Sequence, residues 1–228
     1  MATTAGTRPR QGGPPLILLG GIFAAFTLAY VAPGAIGASQ PSASAAEALA
    51  RAQAHVTALQ IGGFLQFAAS FPLAIFTATA YTRLRRLGVT APGPAIGLVG
   101  GLLASTSLAL CGLVGWTTSQ AAPDLDAPLA KTLSLLSFAL GGPGYAVPFA
   151  LLVAGLAVPS LFLGFVPKPV AWAGLVIAGL AVLGTFFLLT DVAGPTLPIG
   201  RFGGLIWLLA FAIMVPSNRA RRAAPEAS

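Results

Sequence analysis

The chain has 228 residues, of which 56% are hydrophobic and only 7% charged. Soluble domains carry about 25% charged residues, so this composition cannot supply a water-facing shell. The mean hydropathy of +0.88 excludes a disordered chain as well. The formal charge of +7 comes from twelve Lys and Arg against five acids. These basic residues fall between apolar runs, where they set topology and do not form a nucleic-acid surface. A single cysteine, Cys111, and a single histidine, His55, exclude an internal disulfide and any Cys-based or multi-histidine metal site.

A helix that crosses a bilayer needs about 20 mainly apolar residues. Six stretches meet that need or come close to it, at about 16–32, 56–82, 95–117, 133–159, 170–190 and 201–216. The first stops at Pro33-Gly34. Small residues at Ala35-Ile36-Gly37 and Ala43-Ser44-Ala45 give it some likeness to a secretory leader. Its apolar run is long for a leader, and we read it as a span. The second ends in Arg83, Arg85 and Arg86, and the third follows the breaker run Ala91-Pro92-Gly93-Pro94. The fourth lies between Lys131 and Pro159, too long for one straight span and too short for two with a turn. One tilted or kinked helix is expected there. Residues 1–15 and the basic 217–228 remain as tails, with no internal repeat and no length left for a soluble domain.

Placing the N-terminus inside puts Arg8, Arg10, Arg83, Arg85, Arg86, Lys168, Arg219, Arg221 and Arg222 on the cytoplasmic side. Only Arg51, Lys131 and Arg201 then lie outside, together with the acids Glu47, Asp124, Asp126 and Asp191. Positive charge concentrates on the cytoplasmic side of membrane proteins. The expected fold is therefore an all-α polytopic bundle of six spans with both termini cytoplasmic.

Few residues suggest chemistry. Ser44-Ala45-Ala46-Glu47 fits a capping box, from which a helix can run on towards Arg86 with a kink at Pro72. On it Glu47, Arg51 and His55 share one face, and Gly62, Gln66, Ser70 and Thr77 fall near the same side, while Gln60 points elsewhere. This polar track reads either as a binding or proton-access face with His55 at its mouth, or as a solvated Glu47–Arg51 pair above interhelical contacts of Gln66 and Ser70. In the fourth span Ser134, Ser137, Gly141-Gly142-Pro143-Gly144, Tyr145 and Pro148 crowd together. Broken helices of this kind form binding sites in transporters, and they also serve as plain kinks. Asp191 and Arg201 bracket the last loop, as a gating pair or as interfacial anchors. Gly93, Gly97 and Gly101, and Gly174 with Ala178, mark close helix packing.

The chain contains no HExxH, GxSxG or P-loop sequence, and no Asp or Glu lies in mid-span. An intramembrane aspartyl enzyme or a carboxylate-driven pump is therefore not expected. No cofactor or metal is expected either.

Gly164-Phe165-Val166-Pro167-Lys168-Pro169-Val170-Ala171-Trp172-Ala173-Gly174 joins the fourth and fifth spans. It resembles the Gly-aromatic-aliphatic-Pro-basic turn of an uncharacterised family of bacterial six-helix integral membrane proteins, a domain-of-unknown-function group. The polar segment after span one and the basic ending Tyr81-Thr82-Arg83-Leu84-Arg85-Arg86 are similar as well. The resemblance implies a bacterial cytoplasmic membrane and no particular activity. Two roles follow as expectations. One is a non-enzymatic structural or interaction protein, with the lipid bilayer and a homo-oligomer or membrane-protein partner. The other is a small permease that uses the polar face of helix two and the broken helix four.

Overall fold

A chain too apolar for a water-facing shell satisfies its backbone groups best as helices, since lipid offers no hydrogen-bond partners. The computed structural model describes residues 14–190 and 196–216, which form helices and no strand. Arg8, Arg10, Asp191, Arg219, Arg221 and Arg222 lie outside the described residues. Six segments are long and apolar enough to cross a membrane: Leu16–Gly37, Val56–Arg86, Gly93–Asp124, Ala127–Leu163, Lys168–Leu188 and Thr196–Met214.

Helix α1 (Leu16–Gly37) passes through Pro33 and ends three residues beyond Gly34, so the Pro-Gly pair does not stop it. Proline in a membrane helix forfeits one backbone bond, which neighbouring structure can tolerate. Ser44 caps α2 (Ala45–Ala54): its hydroxyl accepts from Glu47 N at 3.2 Å, and the Glu47 carboxylate accepts from Ser44 N at 2.7 Å. His55, at φ −127° and ψ 38°, then breaks the chain before α3 (Val56–Arg86). The two helices are thus separate where the polar pattern allowed one continuous rod. Helix α2 lies across one end of the bundle, with Ala48 and Ala52 packed on Leu125 and Ala130. Lys131 fastens the approach to it by donating to the Pro41 and Ala43 carbonyls at 2.5 and 2.6 Å.

The cap has a checkable consequence. Hydrogen bonds from Ser44 hold the Glu47 carboxyl below its ordinary pKa. A depressed carboxylate pKa supports the helix at neutral pH, and that support is lost as pH falls through the folded value. Amides 45–48 are therefore expected to lose protection, measured against their intrinsic exchange rate at each pH, on acidification. Ser44→Ala should produce the same loss at neutral pH, costing α2 about 1 kcal/mol. Unchanged protection in both cases would show that the Lys131 tether alone holds α2.

Helix α4 (Gly93–Ala121) is followed by a 3-10 turn and by α5 (Ala127–Gly141), whose first turn is capped by Asp126 accepting from Leu129 N at 2.8 Å. Gly142, at φ −91° and ψ −107°, separates α5 from α6 (Pro143–Leu163). The fourth span is thus one crossing with a break, as its length and its Gly-Gly-Pro-Gly run imply. Helix α6 closes on Gly164, which takes the left-handed φ of 64° that glycine adopts without strain. Helix α7 (Lys168–Leu183) continues as a 3-10 turn to Leu188. The last span opens with α8 (Thr196–Pro198), passes through a π turn over Ile199–Gly203 and finishes as α9 (Gly204–Met214).

Glycines let the helices meet at backbone distance. A Cβ on Gly63 would lie 2.7 Å from Gly112 O, and one on Gly112 would lie 2.6 Å from Gly63 O, so α3 and α4 interlock there. Gly93 and Gly97 face Gly155 of α6, whereas Gly101 faces Thr77 of α3 and Gly174 receives the Trp207 ring. Trp207 Nε1 also donates to Val170 O at 2.7 Å. Between the helices Leu73, Phe76, Leu108, Phe149, Leu152 and Phe211 are fully buried. Phe162, Ile206 and Ile213 point outward, as suits a lipid-facing surface.

Candidate functional site

A cavity of about 610 Å³ opens between α1, α3, α4, α5, α6 and the last span, with Ala48 and Ala52 of α2 along its rim. The break at Gly142 contributes to this space by interrupting the wall between α5 and α6. Gly141 also brings α5 against α4: a Cβ there would lie 2.7 Å from Cys111 Sγ.

Polar groups converge on this space from four helices. Cys111 Sγ donates to Gln66 Oε1 at 3.2 Å and lies 3.2 Å from Ser137 O. Gln66 Nε2 sits beside Gly141 and makes no described hydrogen bond. Ser134 reaches the Ser39 carbonyl at a long 3.5 Å. Tyr145 lines the cavity and stacks on Phe149 with 5.1 Å between ring centroids. Phe138 and Phe187, 4.9 Å apart between centroids, provide an apolar wall.

Arg201 is the only charged side chain among the described lining residues. The π turn carries it, and such single turns re-aim a helical side chain and recur at functional sites. Its guanidinium lies 5.4 Å from the centroid of the Tyr30 ring and 5.1 Å from that of Tyr145. One nitrogen donates weakly to Gly141 O at 3.4 Å, while the buried Nε has no hydrogen-bond partner. Here Arg201 faces the bundle interior. Its suggested partner Asp191 lies outside the described residues.

Of the candidate pathway residues His55, Gln66, Ser70 and Tyr145, Gln66 and Tyr145 meet in the cavity. The other two do not line it. His55 terminates α2, and Ser70 is buried with its hydroxyl donating to Phe67 O of its own helix at 2.6 Å. On the surface, the Glu47 carboxylate serves the Ser44 cap, and Arg51 donates to Ile36 O at 3.3 Å. Ser137, already marked by the fourth-span cluster, joins Gln66 and Tyr145 through Cys111, and Tyr30 and Cys111 are additions from the structure that no local sequence signal marks.

Among the described residues no three His, Cys, Asp or Glu side chains gather as a metal site. Comparisons with protein-family models, with curated proteins and with solved structures found no match to this chain.

Proposed function

We propose that this protein binds a small solute within the membrane and belongs functionally with permeases. The cavity at the broken fourth span carries the reading. A structural or interaction role needs no internal space lined by Gln66, Cys111, Tyr145 and Arg201. Transporters commonly place their sites where a helix is interrupted, because freed backbone groups and packing gaps arise there together. Gly141 O, which receives Arg201, is such a group.

In this reading the α2 end faces outward and both termini are cytoplasmic. Arg83, Arg85, Arg86 and Lys168 lie at the opposite end of the bundle from α2, in keeping with the usual placement of positive charge. The solute enters past α2 and stops above Phe149, Leu73 and Leu108, which seal the other half. The bacterial cytoplasmic membrane is its proposed setting.

Thiol labelling tests the reading. In a Cys111→Ala background, single cysteines at Ser134 and Ser137 should react with a small membrane-impermeant thiol reagent added from outside. A cysteine at Ser105, packed in the core and bonded to Gly101 O, should stay unreacted. Ser134 and Ser137 positions sealed from both sides would remove the solute-binding role.

A further inference from the structure

We infer that the cavity takes a small monoanionic organic acid, with its carboxylate on Arg201 and its apolar body against the aromatic walls. The inference rests on the cavity being a solute site and names the class of solute.

The guanidinium is a planar fork with five N–H donors. Here one of them makes a single long bond to Gly141 O, and Nε is buried with no partner. The rings of Tyr30 and Tyr145 hold the cation through their faces. Ring faces attract positive charge and leave the in-plane N–H groups available. No described Asp or Glu lines the cavity to neutralise it. A cation placed in an apolar space with unused donors calls for an anion, and two parallel N–H groups match a carboxylate. Gln66 Nε2, also without a described partner, offers a further donor on the same wall.

Charge and size narrow the class. One cation balances one negative charge, so a dianion would carry uncompensated charge into a low-dielectric site. Amines are repelled outright. The volume of about 610 Å³ is that of a small-molecule site, and Phe138 and Phe187 suit an apolar or aromatic body.

The experiment measures binding to the purified full chain in nanodiscs, using benzoate, its uncharged isostere benzamide, and inorganic phosphate. Benzoate is expected to bind at least about 30-fold more tightly than benzamide, as one charge-assisted contact implies, and phosphate is expected not to bind. Arg201→Gln should weaken benzoate by about 30-fold or more, to the level of benzamide, and leave benzamide unaffected. Equal affinity for benzoate and benzamide, tighter binding of phosphate, no binding of benzoate, or indifference of benzoate to Arg201→Gln would each overturn the assignment. If Arg201→Gln does not fold, the benzoate-to-benzamide ratio of the natural chain decides. Failure here with Ser137 still labelled removes the anion and leaves the solute cavity, whereas sealed labelling positions remove both.

Discussion

Gly155→Ala is expected to destabilise the bundle by about 3 kcal/mol or more, a large effect for one methyl group. A Cβ at this position would lie 2.6 Å from both Gly93 O and Gly97 Cα. These are backbone atoms of α4, so no side chain can rotate away to make room. Overpacking a close interface ordinarily costs about 1–3 kcal/mol, and here the helices themselves must separate. Membrane helices lack a hydrophobic drive to associate, because lipid is as apolar as their own side chains. Close backbone packing is therefore a principal source of their cohesion, and its loss is not made up elsewhere. Gly179→Ala is the matching control. Nothing lies within 4 Å of its added Cβ, and it is expected to be neutral or stabilising by about 0.5–1 kcal/mol. Denaturant midpoints in mild detergent compare the two. Equal midpoints would mean that α4 and α6 do not meet at backbone distance around Gly155.

The contrast between these glycines shows where reading the chain reaches its limit. Both sit in apolar runs, and nothing local distinguishes Gly155 from Gly179. Long apolar runs bounded by Arg83, Arg85, Arg86 and Lys168 make the spans legible, because bilayer thickness demands a length and charge cannot enter. The capping box at Ser44 and the break near Gly142 are legible for the same local reasons. The direction each helix faces is not. In a soluble helix a polar stripe marks the outer face. Here lipid and core are equally apolar, so Tyr30 and Cys111 look no different from lipid-facing neighbours. Arg201 illustrates this well. Its charge marks it as the outer boundary of the sixth span, yet the described helix already includes Thr196, about 7.5 Å earlier at 1.5 Å per residue. The π turn then directs the side chain inward.

Arg201→Met should raise the stability of the solute-free protein by about 1–2 kcal/mol. Arg201 is half-buried with its Nε fully covered and unpaired; an unmet buried donor costs about 1–3 kcal/mol, and the weak bond to Gly141 O offsets little of that at 3.4 Å. Contacts with the Tyr30 and Tyr145 rings return about 0.5–2 kcal/mol. Methionine keeps most of the packing volume and removes the charge, and replacing a buried ion by a well-packed apolar side chain often stabilises. The measurement is the unfolding midpoint in nanodiscs without benzoate, then with increasing benzoate. Ligand raises the natural chain by RT ln(1 + [L]/Kd) and the variant, which binds about 30-fold more weakly, by much less, so the two stabilities should cross. For an advantage of about 1.4 kcal/mol the crossing falls at about 15 times the natural chain's Kd. If Arg201→Met is instead less stable without ligand, the cation is a structural clamp between Tyr30, Tyr145 and Gly141. A site that destabilises the empty protein and repays that cost when filled is what a binding role requires of an otherwise unfavourable charge.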